Sequence, residues 1–336
     1  MIDMQTKILH MSKNHFIRKH GFEKGYRFIV NYHLNNSELY GIPVRALQEY
    51  YDVIDSKNLP IDAKNKILAK LELDILEQTM KLIESFAAIA TACKNDSSLI
   101  QAEDIIVTFN SGDATKFYEH SSRWKKRDFY ELFAYSLPNT PDVSIKEKRF
   151  LKKVYSSNIR EIKKFLKLVS KFREINLIAY NKSKHSMPML IGIPASLPPD
   201  IYSFSLIFYK NKTKKIIPKF IPHSKKIVGK YTTICKTLIL LMKDILWSKI
   251  LYLELKGNKP IITTTYFESD PTVNSAIQKI NFKLSKNLKK DNIHIPIKIN
   301  LSKRVLKNKL DFLYKDLTPT IITPDKKLIE YAKEIT

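Results

Sequence analysis

Glycine is unusually scarce in this chain, with only 7 among 336 residues. Loops that cradle phosphate groups need glycine, because their backbone takes positive φ angles and approaches the ligand closely. The two glycines nearest to each other, Gly21 and Gly25, belong to no P-loop, dinucleotide-binding or nucleophile-elbow pattern. The sequence therefore disfavours P-loop enzymes, Rossmann dehydrogenases and hydrolases of the G-x-S-x-G type.

The length of the chain allows about two domains, and its 44% of apolar residues is typical of globular proteins. Its two cysteines, Cys93 and Cys235, exclude a disulfide framework or a cysteine-based zinc site and favour the reducing cytoplasm. His10, His15 and His20 recur at every fifth residue, which places neighbours about 140° apart on a helix and does not suit a shared metal. We therefore expect no metal site. The sequence also predicts no cofactor, no signal peptide and no membrane span.

The formal net charge of +25, from 58 basic and 33 acidic residues, creates a field that attracts polyanions. The excess is largest after residue 200, where there are 27 basic and 10 acidic residues. However, 49 of the 58 basic residues are lysines, and recognition of phosphates and base edges prefers arginine. The charge predicts contact with nucleic acid. In the alternative, the lysines reflect AT-rich coding and lie on solvated faces without a ligand.

Residues 41–190 have the apolar spacing of amphipathic helices, after an N-terminal segment 1–40 with a possible strand. The clearest helix is Ile67–Ala92, whose single apolar stripe leaves carboxylates such as Glu72 mostly on the solvent side. A later helix is predicted to break at Ser156–Asn158, because these side chains can cap a new helix start. Together these patterns predict a helical bundle.

The character of the sequence changes at residue 188, where four prolines within twelve residues indicate a domain junction. The segment Tyr202–Tyr209 has the period-two alternation of a strand, and Pro218 and Pro222 make the returning strand an edge. Helices and strands then alternate, which predicts a basic mixed α/β domain over residues 200–336. The predicted fold class is α+β, with an N-terminal all-α helical bundle followed by this domain.

The densest cationic cluster surrounds Trp124. Basic side chains of this kind can pair with phosphates while an indole stacks on a base. In the alternative that we favour, the indole packs inward at a helix start and the basic side chains stay exposed. The candidate nucleic-acid-binding residues of this cluster are Arg123, Lys125, Lys126 and Arg127.

A second polar segment, residues 179–185, follows the last apolar stripe of the predicted bundle. A long amphipathic helix that leads into Y-N-x-x-K-H resembles the HEPN superfamily, and the likeness spans roughly residues 43–190. The resemblance implies a helical bundle that forms a homodimer and acts in RNA cleavage or nucleic-acid handling in stress and defence systems. Active members of that superfamily are metal-independent ribonucleases whose Arg and His are separated by four to six residues.

By this resemblance, His185 would be the acid/base that moves the proton of an attacking 2′-OH. Lys184 or Lys182 would supply the charge that stabilises the phosphorane, Asn181 would orient the imidazole, and Tyr180 belongs to the same segment. The sequence departs from the family pattern at positions 178–180, where the Arg would lie, because these positions hold Ile, Ala and Tyr. The alternative is a helix C-terminus whose basic side chains oppose the macrodipole.

The most concentrated basic stretch lies between residues 283 and 309. An isoleucine-alternating segment within it predicts a strand with one polar face, and the flanking lysines could follow a phosphate backbone. That face has no aromatic residue, so it supports non-specific binding without base stacking. The candidate residues are Lys289, Lys290, His294, Lys298, Lys303 and Arg304.

Three functions remain open at this point. The leading hypothesis is a cytoplasmic HEPN-like nucleic-acid-binding protein, with RNA favoured over DNA and with its catalysis lost. The enzyme alternative is a metal-independent endoribonuclease that uses His185. The third hypothesis is an interaction or oligomerisation protein with no nucleic-acid ligand.

Overall fold

The structure is a computed structural model of the chain. It describes residues 37–95, 108–133, 135, 137, 141–184, 190–192, 201–210, 213–254, 270–290 and 326–336. These residues form mostly helices and one small antiparallel sheet, in agreement with the predicted α+β class. The possible strand near the N-terminus and the isoleucine-alternating segment near the C-terminus lie outside the described residues.

The described part of the chain contains eight helices and three strands. The helices are α1 (Ser37–Asp55), α2 (Ile61–Asn95), α3 (Ser111–Ser121), α4 (Lys126–Leu132), α5 (Ile145–Lys184), α6 (Lys225–Glu254), α7 (Pro271–Lys290) and α8 (Lys326–Lys333). The strands are β1 (Leu190–Gly192), β2 (Ser203–Lys210) and β3 (Ile216–His223). The described strands pair antiparallel in the order β1-β2-β3, which confirms the predicted strand and, among these strands, the predicted edge position of the strand that follows it.

Helix α2 is the centre of the fold, since it contacts α1, α3, α4, α5, α6 and the sheet. Because neighbours pack on several of its sides, Glu72 is only 1% exposed. The expected solvent position of the carboxylates is therefore wrong for Glu72, although Asp74 is exposed. The predicted apolar stripe is confirmed by the burial of Leu68, Ile75, Leu82, Phe86 and Ala90.

The larger of two buried clusters joins the helices to the sheet. It contains residues of α1 to α5 together with Ile207 of β2, Ile221 of β3 and the apolar face of α6. The division into two domains near residues 190–200 stays a prediction, and described elements on both sides of that boundary contribute to this cluster. Among the described helices, none is long and apolar enough to cross a membrane.

The second buried cluster lies on the N-terminal half of α5. Phe150 of α5 belongs to it, together with Ile277 of α7 and Leu328 of α8. Nζ of Lys283 on α7 lies 2.6 Å from Oε1 of Glu147 on α5, so an ion pair supports the apolar contact. The C-terminal helices are thereby attached to the start of α5.

Helix α5 runs without interruption through Ser156–Asn158, so the predicted break there is wrong. Oγ of Ser156 donates to the carbonyl of Lys152 at 2.6 Å, a bond that a serine can make inside a helix. The neighbouring Tyr155 and Ile159 are both buried. Burial of these side chains outweighs the tendency of the polar residues to cap a new helix.

Buried tyrosines predict that the protein is unstable in alkali. Burial raises the pKa of Tyr118, Tyr155 and Tyr231 above the ordinary value. In the unfolded chain these groups ionise near pH 10, so above about pH 10 the unfolded state binds fewer protons than the folded state. The free energy of unfolding then falls by up to about 1.4 kcal/mol per pH unit for each tyrosine.

We expect urea unfolding to show this decrease between about pH 9 and pH 11, with a shallower slope for Tyr155→Phe. Phenolate absorbance of the buried tyrosines should develop together with the loss of helical circular dichroism. Full phenolate absorbance in a chain that keeps its helical signal would contradict the prediction.

Candidate nucleic-acid interface

Trp124 lies between α3 and α4 and is only 8% exposed. Its ring meets the rings of Phe117 and Phe129 edge to face, with centroids 5.3 and 5.4 Å away. Nζ of Lys163 on α5 donates to the Trp124 carbonyl at 2.9 Å. The inward packing of this indole, which the sequence favoured, is confirmed.

The basic side chains around Trp124 are all exposed, and we call them the basic ridge: Arg123, Lys125, Lys126 and Arg127. Arg127 pairs with Glu131 at 2.8 Å, and Nζ of Lys126 donates to Oγ of Ser156 at 2.8 Å. Arg123 and Lys125 have no ion-pair partner among the residues that the structure describes. The ridge therefore presents at least two unneutralised cations to solvent.

A cleft with a volume of about 490 Å³ lies beside the ridge, between the C-terminal end of α2 and helix α3. Its lining combines aromatic rings, cations and one carboxylate, a set that can contact a base, a phosphate and an exocyclic amine. The aromatic lining is Phe109, Phe117 and Trp124, and the charged or titratable lining is Lys94, Lys116, His120 and Asp113.

Asp128 connects the cleft to the ridge. One of its carboxylate oxygens lies 2.9 Å from Nζ of Lys94, and the other accepts the backbone N–H of Lys125 at 2.7 Å. The hydrogen bond from Lys94 holds the pKa of Asp128 below its usual value. Because Nζ of Lys94 also lies 5.2 Å from the centre of the Trp124 ring, one lysine joins the aromatic and acidic parts of the site.

A capping box fixes the start of α3 at the cleft. Oδ1 of Asn110 accepts the N–H groups of Gly112 at 2.8 Å and Asp113 at 3.2 Å, and the Asp113 carboxylate accepts the Asn110 N–H at 3.2 Å. The guanidinium of Arg173 on α5 donates to the Ser111 carbonyl at 2.9 Å. The carboxylate that lines the cleft is therefore held in one position.

Of the four candidate catalytic residues at the end of α5, the structure describes the side chains of two, Tyr180 and Asn181. Tyr180 is 2% exposed and donates to Oε2 of Glu84 at 3.1 Å, and burial raises the pKa of its hydroxyl. The next residue, Asn181, is exposed. Helix α5 ends at Lys184, and His185 lies outside the described residues. The ribonuclease arrangement stays a prediction.

The six C-terminal candidates fall at the end of α7 or beyond it. Helix α7 continues to residue 290 and thus contains the backbone of two of them, Lys289 and Lys290. The other four lie outside the described residues and stay predictions: His294, Lys298, Lys303 and Arg304.

A buried polar network, which sequence reasoning missed, links the sheet to α2. Oγ of Ser205 lies 2.8 Å from Nε2 of His223, and Nδ1 of His223 lies 3.2 Å from Oε1 of Glu72. Oε2 of Glu72 accepts the Tyr202 hydroxyl at 2.7 Å and the Ser224 N–H at 3.0 Å. The order of hydroxyl, imidazole and carboxylate is that of a nucleophile, a base and an orienting acid.

Burial assigns this network a structural role. Ser205 and His223 are each 0% exposed and Glu72 is 1% exposed, so no substrate carbonyl can approach the hydroxyl. The period-two alternation of β2 could have revealed that Ser205 is buried, because it places Ser205 on the same face as the buried Ile207. Nothing in the sequence pairs that face with a carboxylate more than 130 residues earlier.

Comparison with known proteins finds no similarity to this chain. No family model matches, and neither the curated proteins nor the solved structures include a match. The described groups of the site are aromatic edges, exposed cations and a fixed carboxylate.

We expect Glu72→Ala to lower the free energy of unfolding by about 3–5 kcal/mol, because it leaves buried donors without their acceptor. Glu72→Gln keeps one acceptor oxygen and should cost less. Urea unfolding followed by circular dichroism measures both, with the exposed Asp74→Ala on the same helix as the matched control. Equal stability of Glu72→Ala and wild type would show that the network does not hold the sheet in place.

Proposed function

We propose that this chain is a HEPN-like nucleic-acid-binding protein that takes RNA at the cleft and the basic ridge and has lost catalysis. The observation that carries the proposal is an aromatic cleft of about 490 Å³ directly beside four exposed basic residues. Phosphates would lie along the ridge, and an unstacked base would enter the cleft. The preference for RNA over DNA comes from the family resemblance.

The positive surface extends from the ridge onto α5. Lys163 joins the two through its bond to the Trp124 carbonyl, and the exposed face of α5 continues the charge with Arg160, Lys164, Lys167 and Lys171. Glu161 neutralises part of it through pairs with Arg160 and Lys164, at 3.0 and 2.9 Å. Several cations thus remain for phosphates, and binding through them should weaken steeply as salt rises.

The cleft offers contacts to a base, which a charged surface alone does not provide. Its volume lies within the range of about 300–1,000 Å³ that is usual for small-ligand sites. The fixed carboxylate of Asp113 can accept a hydrogen bond from an exocyclic amino group, and the rings of Trp124 and Phe109 offer apolar contact to a base. Lys116 and His120 are exposed beside it and can face a phosphate.

We expect the double variant Arg123→Glu/Lys125→Glu to bind a labelled single-stranded RNA about 10- to 100-fold more weakly than wild type at low salt. Two phosphate contacts would be lost, so the slope of log affinity against log salt should also become shallower by about 1.4. Fluorescence anisotropy over a series of salt concentrations measures both quantities.

Lys66→Glu/Lys70→Glu is the matched control, because it changes the net charge equally at exposed positions of α2. Lys70 precedes Lys94 of the cleft by 24 residues of one helix, a distance of about 36 Å. An equal loss of affinity in both double variants would mean that net charge, and not this site, binds RNA. The absence of salt-dependent binding in wild type would favour the interaction protein.

A further inference from the structure

The outer face of the sheet, turned away from α2, carries exposed aromatic residues that the cleft and ridge do not use. We define this outer face by Phe204, Leu206 and Phe208 of β2 and Ile216, Pro218 and Phe220 of β3. Phe208 is 48% exposed, Phe220 is 59% exposed and Ile216 is 67% exposed. The opposite face of β2 is buried, so the alternation of the strand directs these rings to solvent.

Two rings of this face contact each other, and Phe208 lies on the same face of β2. Phe220 lies opposite Leu206 in the register, Phe208 lies opposite Pro218, and the Phe204 and Phe220 centroids are 5.4 Å apart. A Cβ at Gly192 of β1 would come within 3.0 Å of the Phe204 ring, so that ring lies across the neighbouring strand.

The chain that forms the face is strongly basic. Residues 201–224, which include β2, β3 and the turn between them, contain five lysines and no acidic residue. Lys210, Lys214 and Lys215 are exposed where β2 turns into β3, at one end of the rings. The charge therefore complements a polyanion, while the rings offer stacking surface.

We propose that the outer face is a stacking platform for single-stranded nucleic acid. Bases would stack on Phe208 and Phe220, and phosphates would follow Lys210, Lys214 and Lys215. The platform accepts only single strands, because the bases of a duplex are already stacked and paired. This surface is additional to the cleft, and the inference rests on the proposed function only in taking nucleic acid as the ligand.

The dimensions of the face favour this occupant over a second copy of the chain. Three strands of at most eight residues cover about 27 by 14 Å, or roughly 400 Å². A stable protein interface needs about 800 Å² from each partner. The face is thus too small to hold a dimer alone, but it spans several nucleotides of a single strand.

The test compares affinities for a labelled oligouridine of about 12 nucleotides and for a duplex of the same length. We expect Phe208→Ala/Phe220→Ala to bind the single strand at least 10-fold more weakly, with an unchanged salt slope, and to bind the duplex as wild type does. Lys214→Gln/Lys215→Gln should make the salt slope shallower. Phe208→Tyr/Phe220→Tyr should keep the affinity, since a tyrosine ring also stacks.

Ile61→Ala is the matched control, because it removes apolar surface that is 68% exposed from the start of α2, outside the outer face. Its affinity for the single strand should equal that of wild type. Equal affinity of Phe208→Ala/Phe220→Ala and wild type overturns the platform, and it leaves the proposed function standing if the Arg123→Glu/Lys125→Glu variant still loses binding. Failure of wild type to bind either oligonucleotide overturns both proposals.

Two further measurements test whether a membrane surface or a second copy of the chain occupies this face. They are co-sedimentation with phosphatidylserine vesicles and sedimentation velocity. Wild type and the triple variant Phe208→Ala/Ile216→Ala/Phe220→Ala should co-sediment with these vesicles to the same extent. In sedimentation velocity, wild type should show no dimer that this triple variant loses. The opposite result in either measurement would assign the face to a membrane surface or to a second copy and would overturn the platform.

Discussion

The carboxylate of Glu72 constrains the structure more than any other single group described here. A buried charge is strongly destabilising unless donors surround it, and Glu72 obtains them from Tyr202 and Ser224 and faces His223. Tyr202 precedes β2, His223 ends β3 and Ser224 directly precedes α6. Oε2 of Glu72 therefore joins the segment before β2 and the start of α6 to α2, while Oε1 faces His223 without a hydrogen bond in the described part of the chain.

That arrangement determines which face of the sheet is available for binding. A shift of one residue in a strand would exchange its two faces, so the bond between Ser205 and His223 also holds the aromatic rings outward. The cleft depends on the same helix, since Lys94 lies 22 residues after Glu72, about 33 Å along α2. One central helix thus supports two separate surfaces, both basic and both lined by aromatic residues.

Periodicity predicted the parts of the fold that depend on one element alone. The stripe of α2, the alternation of β2 and the edge position of β3 are properties of local sequence, and all three are confirmed. The continuity of α5 and the burial of Glu72 could not be predicted, because each is decided by neighbours that pack from distant parts of the chain. The same holds for the site: the inward turn of Trp124 was predictable, whereas the cleft needs the end of α2 to meet α3.

The central claim is that single-stranded nucleic acid contacts aromatic residues on this fold and not merely its lysines. Photo-crosslinking of an oligonucleotide that contains 4-thiouridine, followed by mass spectrometry of the peptides, tests it most directly. The account predicts crosslinks in the peptides that carry Phe208 or Phe220 and in the peptide that carries Trp124. Crosslinks spread over lysine-rich peptides without these aromatic residues would contradict it.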